Sequence, residues 1–120
     1  SEYSNYLNNG NVSVIDPQHK LFMESENIAK KDYSEAITLY KKTLNYDKSS
    51  LLAPRATFSI GHYYDQETEI DSALKYYSLV INNFPDTDQS REAATRISYL
   101  NMILSELNQD STKLLNLNSN

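Results

Sequence analysis

The sequence has no cysteine, and only two glycines and three prolines occur among its 120 residues. Without cysteine the chain can form neither a disulfide framework nor a thiolate metal site. Scarce glycine and proline disfavour a turn-rich all-β fold and favour helices that are joined by short turns. No apolar run approaches the roughly 18 residues that a membrane-spanning helix requires. The expected fold class is therefore all-α.

Acidic residues outnumber basic ones by 16 to 11, so the formal net charge is -5 and the pI is about 4.9. This balance argues against binding to nucleic acid and against binding to anionic lipid through a basic face. The two histidines, His19 and His62, belong to no metal-ligand spacing and have no evident nucleophile partner. No constellation of general acid, base and nucleophile is present. We therefore expect no enzymatic activity, no metal, no cofactor and no nucleic-acid partner.

Capping residues and apolar spacing predict five helices. Asp16-Pro17 and Asp32 with Glu35 are helix-start signals, and Pro54 suits the first turn of a third helix. The helices are predicted at about 17–30, 33–46, up to 66, 70–83 and 88–107. Residues 1–16 are predicted to form a flexible polar arm that precedes a domain at 17–107. Residues 108–120 form a weakly patterned tail, in which a short helix around Leu114 is an option.

An internal repeat with a period of 37 residues links the helices in pairs. Sliding the sequence against itself by this period aligns Ala36 with Ala73, Tyr40 with Tyr77, Leu44 with Ile81, Ala56 with Ala93 and Ile60 with Ile97. A fixed period of this size is typical of solenoids, whose helix pairs are each too thin to bury their own apolar face. The repeat therefore predicts stacked helix pairs.

Small residues at fixed places suggest how the helices approach one another. Ala36 and Ala73 are each followed four positions later by an aromatic ring, Tyr40 or Tyr77, which can fill the next gap. Gly61 lies inside the third predicted helix, where glycine costs about 1 kcal/mol relative to alanine. Close approach of the fourth helix at Gly61 would explain this glycine.

These residues resemble the tetratricopeptide repeat, whose pattern runs L-G-x2-Y, then A-x3-F, then P. The resemblance assigns a repeat signature to Ala36, Tyr40, Gly61, Tyr64, Ala73, Tyr77, Pro85 and Ala93. It implies a right-handed solenoid of antiparallel helix pairs, with repeat 1 at about 17–48, repeat 2 at about 52–85 and a capping helix at about 88–107. The first unit departs from the pattern, because Glu24, Asn27 and Lys48 replace its Gly, Tyr and Pro.

The repeat has 37 residues instead of the usual 34, and the excess lies between Pro85 and Ala93 and at the matching earlier joint. This longer joint is similar to that of a bacterial envelope subgroup, the BamD-like lipoproteins and the C-terminal domain of the YbgF/CpoB family. The resemblance implies a non-catalytic periplasmic scaffold in outer-membrane β-barrel assembly or in Tol–Pal-type coordination. The chain begins at Ser1, as expected of a processed or trimmed form, and its polar arm would suit a lipid anchor. The alternative is a cytoplasmic tetratricopeptide adaptor that binds a peptide or helix of a partner protein.

Tetratricopeptide proteins usually bind partners in a concave groove that the first helix of each unit lines. Carried over by position, this groove comprises Leu21, Ser25, Ile28, Arg55, Phe58, His62, Asp65, Gln66, Thr95, Tyr99 and Met102. The alternative for Phe58 and Tyr99 is that they complete the core of a small solenoid. The acidic segment at 65–71 lacks the glycine of a calcium loop and is predicted to be a solvated turn.

Overall fold

The computed structural model describes residues 16–118, with only the backbone described at 117 and 118, so the predicted arm lies almost entirely outside the described residues. The described chain is all-α and contains no strand. Its helices are α1 (Pro17–Ala29), α2 (Tyr33–Tyr46), α3 (Ala53–Gln66), α4 (Ile70–Asn83) and α5 (Asp88–Asn118). The all-α prediction is confirmed, and the first four helices end within about a residue of the predicted positions.

Side-chain caps fix the starts of the first two helices. The Asp16 carboxylate accepts a hydrogen bond from the backbone N–H of Gln18 at 3.1 Å, and Pro17 occupies the first turn of α1. The Asp32 carboxylate accepts from the N–H of Glu35 at 3.2 Å at the start of α2. These bonds satisfy amide groups that have no partner within the helix itself. The two predicted helix-start signals are therefore confirmed.

Hydrogen bonds of the Thr87 side chain stabilise the joint between α4 and α5. The Thr87 hydroxyl donates to the carbonyl of Phe84 at 2.8 Å and accepts from the N–H of Ser90 at 3.0 Å. Asp86 turns the chain with a φ of 68°, a backbone conformation that aspartate tolerates better than most side chains do. The joint thus both ends α4 and starts α5.

The last helix is longer than the sequence suggested. It continues past Leu107 to Asn118, through the weakly patterned tail for which the sequence predicts at most a short helix around Leu114. No proline or glycine interrupts residues 88–118, so nothing in the backbone stops the helical hydrogen bonds. From Ser105 to Asn116 every residue is exposed, and the only apolar residues are Leu107, Leu114 and Leu115, a pattern too sparse to predict a continuous helix.

Consecutive helices pack against each other in antiparallel pairs, and α3 also contacts α5. The buried side chain of Gln18, at the start of α1, donates to the carbonyls of Thr43 and Asp47 at the end of α2, both at 2.8 Å. One apolar cluster joins α1, α2 and α3 around Phe22, Tyr40 and Ile60. A second cluster comprises Ala73, Tyr77, Val80, Ala93 and Leu100, from α4 and α5.

Gly61 marks the closest approach of α3 and α4. A Cβ atom at this position would lie 2.9 Å from Cδ1 of Tyr77, a distance that real side chains do not tolerate. The prediction that close approach of the fourth helix requires this glycine is confirmed. Among the other signature residues, Ala36, Tyr40, Ala73, Tyr77 and Ala93 are buried, Tyr64 is half-buried and Pro85 is exposed.

Candidate functional site

The predicted groove residues of α3 lie on one side of that helix, because they are spaced by three or four positions. Arg55 is exposed, whereas Phe58 and His62 are half-buried. A contact between Asp65 and Arg96 holds α5 beside α3 on this side. We call the accessible surface on this side of α1, α3 and α5 the odd-helix face.

Phe58 belongs partly to the core. Its ring centre lies 5.5 Å from that of Tyr77, and it packs against the second apolar cluster. Much of the Phe58 side chain therefore completes the core, as in the alternative that the sequence left open. Phe58 supports the odd-helix face more than it projects from it.

His62 is a half-buried polar ring of α3. It stacks on Phe58 with ring centres 6.2 Å apart and meets the edge of Tyr63 at 4.9 Å. These aromatic neighbours fix the imidazole plane, yet neither of its nitrogens hydrogen-bonds to any residue between 16 and 118. His62 therefore presents an oriented, uncommitted donor and acceptor.

Arg55 bridges α3 and α1 on the same face. Its guanidinium lies over the Phe22 ring, 4.8 Å from the centre, and its Nη2 is 3.6 Å from a carboxylate oxygen of Glu26. An exposed ion pair of this kind contributes little to stability, typically about 1 kcal/mol or less. Arg55 is thus placed by its stacking on Phe22 and remains open to solvent.

Asp65 is not a free groove residue, contrary to the prediction. Its carboxylate accepts from Nε and Nη2 of Arg96 at 2.8 and 2.9 Å and from the hydroxyl of Tyr77 at 2.9 Å. Its side chain is only 7% exposed, so these bonds use the acceptor capacity that a partner would need. Asp65 also departs from the prediction of a solvated turn, because it joins α3, α4 and α5.

The Asp65 cluster perturbs both of its partners. Burial raises the pKa of the Tyr77 hydroxyl, and the hydrogen bond to Asp65 and its charge raise it further. The hydrogen bond to Asp65 is the largest cause that raises the pKa of Arg96. A bidentate contact between arginine and carboxylate also has a fixed geometry. The cluster therefore locks the relative position of α3 and α5.

Tyr99 and Met102 carry the odd-helix face onto α5, and both are exposed. The Arg96 guanidinium lies 4.7 Å from the centre of the Tyr99 ring, so one arginine both binds Asp65 and stacks on Tyr99. His62 lies three residues before Asp65 on α3, which places His62 and Tyr99 on either side of the lock. Gln66, which follows Asp65, and Thr95, which precedes Arg96, are also exposed.

The α1 residues contribute less than the sequence suggested. Leu21 and Ile28 are half-buried. Ser25 is completely buried and donates its hydroxyl proton to the carbonyl of Leu21 at 2.8 Å. A buried serine whose hydroxyl bonds to a carbonyl of its own helix offers no atom to a partner, so the assignment of Ser25 to the groove is wrong. The serine was carried over by position, and position alone does not reveal which way a helix is rotated.

A tyrosine cluster between α2, α3 and α4 was not predicted from the sequence. Tyr33 and Tyr40 each stack on Tyr63, with ring centres 4.9 and 6.0 Å apart. Lys41 donates to the Tyr64 hydroxyl at 2.8 Å, and this bond is the main cause that raises the pKa of Lys41. The high tyrosine content signalled aromatic packing, but the partners of each ring depend on rotamers that one sequence does not specify.

A separate cleft of about 360 Å³ opens between α2, α3 and α4. Its lining residues are Leu44, Lys48, Thr57, Leu79, Asn83 and Phe84. None of them belongs to the predicted groove. The cleft is mainly apolar, and no cluster of titratable groups lies in it.

No family model, curated protein or solved structure matches this chain. Within residues 16–118 no helix is both long and apolar enough to cross a membrane. The same residues contain no group of three or more histidine, cysteine, aspartate or glutamate side chains that could hold a metal ion.

Proposed function

We propose that this protein is a non-catalytic interaction scaffold whose odd-helix face binds a segment of a partner protein. The proposal is supported chiefly by the set of accessible side chains around the Asp65–Arg96 lock. His62 and Tyr99 lie on either side of this lock, and both are held in place by contacts with their neighbours. Oriented aromatic and arginine side chains are the residue types that dominate binding energy at protein interfaces.

A tetratricopeptide-like solenoid is the architecture that we propose for this scaffold. It is supported by the 37-residue period, by the burial of Ala36, Ala73 and Ala93, and by the close approach at Gly61. Such a solenoid binds an extended or helical peptide across helices of successive units. Arg55 and His62 on α3 and Tyr99 on α5 would then contact successive parts of one bound segment.

The cell compartment in this proposal rests on the long joint between Pro85 and Ala93. Because this joint resembles that of BamD-like and YbgF/CpoB-type proteins, we propose a bacterial envelope scaffold that serves β-barrel assembly or Tol–Pal-type coordination. The second candidate is a cytoplasmic adaptor with the same binding face. Fractionation of cells that express the natural full-length protein separates these two: envelope association supports the first candidate, and recovery with cytosolic markers alone supports the second.

Site-specific photo-crosslinking in cells tests the binding face itself. A photoreactive residue at His62 or at Tyr99 is expected to yield discrete adducts with one partner. The matched control is Tyr46, which is exposed on α2 and away from this face. Adducts of equal yield from all three positions, or from Tyr46 alone, would contradict the proposed face.

A further inference from the structure

The apolar face by which α5 packs on α4 does not end where the α4 contact ends. Ile97 and Leu100 pack in the second cluster, and the same side of the helix continues with a leucine stripe. The leucine stripe comprises Leu104, Leu107, Leu114 and Leu115, with Ser111 between the two pairs. At 3.6 residues per turn these positions fall within one arc of about 120°. The stripe therefore extends an interface already used in the fold.

Apart from the half-buried Leu104, the leucine stripe is exposed because α5 is longer than its neighbours. Arg96 of α5 binds Asp65, which is one residue before α3 ends at Gln66. Soon after Arg96 the helix therefore passes the α3–α4 loop. The exposed fractions of Leu107, Leu114 and Leu115 are 53%, 61% and 69%. Every residue from Ser105 to Leu115 is exposed, and an isolated helix of this length is only marginally stable in water, so a partner would stabilise it.

The surroundings of the leucine stripe are acidic. Asp110 borders the stripe and Glu106 lies one turn before it, whereas Lys113 is the only basic residue from 101 to 118. At the base of the stripe, the α3–α4 loop and the start of α4 add Glu67, Glu69 and Asp71, which are all exposed. None of these charged side chains forms an ion pair with a residue in the part of the chain that the structure describes. The stripe thus has net negative charge along one border, where Lys113 offsets one of two carboxylates, and three further carboxylates at its base.

We propose that the leucine stripe binds an amphipathic helix of another protein, one with an apolar face and basic flanks. The apolar faces would pack as α4 packs on α5, and the basic flanks would meet Asp110, Glu106 and the loop carboxylates. A second copy of this chain fits less well, because its stripe would bring the same acidic border. An anionic membrane surface is disfavoured for the same electrostatic reason.

Two synthetic peptides of about 18 residues serve as probes, both with leucine at helical spacing, one with lysine and one with glutamate at the remaining positions. Fluorescence anisotropy should show binding of the lysine peptide that weakens with added salt, and at least about tenfold weaker binding of the glutamate peptide. The double variant Leu107→Gln/Leu114→Gln should weaken binding of the lysine peptide by at least about tenfold. The charge variant Glu106→Gln/Asp110→Asn should weaken it by a smaller factor.

Leu51→Gln is the matched control, because Leu51 is 93% exposed in the α2–α3 connection and remote from the stripe. Leu51→Gln should leave peptide binding unchanged. Near-ultraviolet circular dichroism of the tyrosines should show that every variant keeps the folded body, by which we mean the packed helices from Pro17 to Leu104. Equal binding of the two peptides, or equal loss with Leu51→Gln, would overturn the proposal. So would a dimer of the wild-type chain in sedimentation equilibrium that the double variant abolishes, since the occupant would then be a second copy.

The leucine stripe and the odd-helix face are independent, and their failures can be told apart. The variant His62→Ala should leave binding of the lysine peptide unchanged, because His62 lies on α3 and makes its ring contacts with Phe58 and Tyr63. A loss of peptide binding in this variant would mean that the peptide occupies the odd-helix face, which would also overturn the assignment to the stripe.

Discussion

The first half of α5 (88–104) and its second half (105–118) carry apolar residues on the same side of the helix but in different surroundings. In the first half Leu100 is 3% exposed and packs in the second cluster with Ala93 and Tyr77. In the second half Leu114 is 61% exposed. The periodicity therefore specifies which side of the helix can be buried, and the neighbouring helices decide whether it is buried within this chain.

The two halves can be compared position by position, because residues 18 positions apart lie at the same angle around the helix axis. Ser111 follows Ala93 by 18 residues, which is about five turns of helix, so both face the same side. Ala93 is completely buried, whereas Ser111 is exposed. Alanine lets α4 approach the first half of α5. The second half carries serine at the matching position and has no helix of the body beside it.

The largest expected effect is from shortening a leucine in each half. Leu100→Ala should lower the free energy of unfolding by about 2–5 kcal/mol, because it leaves a cavity in the second cluster. Leu114→Ala should change it by less than about 0.5 kcal/mol, because the residue is exposed and loses no packing. Urea unfolding followed by tyrosine fluorescence measures both variants. If Leu114→Ala destabilised the body as much as Leu100→Ala does, the two halves would share one core.

Local signals were sufficient to predict the first four helices and one close contact. Asp16, Asp32 and Pro17 act through neighbours in sequence, so capping rules place α1 and α2 correctly. Gly61 was informative because a glycine inside a helix needs a structural reason, and the nearby Tyr77 ring supplies it. These inferences succeeded because the interactions are local or leave a costly residue type visible in the sequence.

The candidate site was less predictable, because it depends on how each helix is rotated and on pairings across helices. Asp65 was placed in the groove, yet Arg96, distant in sequence, takes up its carboxylate. Position also predicts Ser25 in the groove, yet the side of α1 that carries it is buried. Phe58 lies between core and surface, so neither reading of the sequence describes it alone. The binding role of His62 and Tyr99 stays a prediction.

A smaller effect is expected from enlarging the matched pair of positions in α5. Ala93→Leu should lower the free energy of unfolding by about 1–3 kcal/mol, because the added atoms would overpack the contact with α4. Ser111→Leu should change it by less than about 0.5 kcal/mol and should fill the gap between the two leucine pairs of the stripe. Thermal unfolding followed by near-ultraviolet circular dichroism measures both. A clear rise in stability for Ala93→Leu would show that the first half is not closely packed.

Alkaline pH should act on the packed helices through their buried tyrosines, since no tyrosine occurs after Tyr99 in α5. Burial is the main cause that raises the pKa of Tyr40 above its ordinary value, and Tyr40 is completely buried between α1, α2 and α3. The folded state therefore favours the neutral phenol, so this contribution to stability is complete below about pH 10 and is lost as the pH rises above it. At pH 11 the loss from one such ring is about 1.4 kcal/mol, if the folded ring stays neutral.

The variant Tyr40→Phe tests this effect against Tyr46→Phe, which changes a ring that is exposed on the same helix. Urea unfolding at pH 8 and pH 11 should show that Tyr40→Phe loses about 1.4 kcal/mol less stability over this interval than the wild type does. Tyr46→Phe should lose as much as the wild type. If both variants lost equal amounts, the buried ring would not be the source of the alkaline effect.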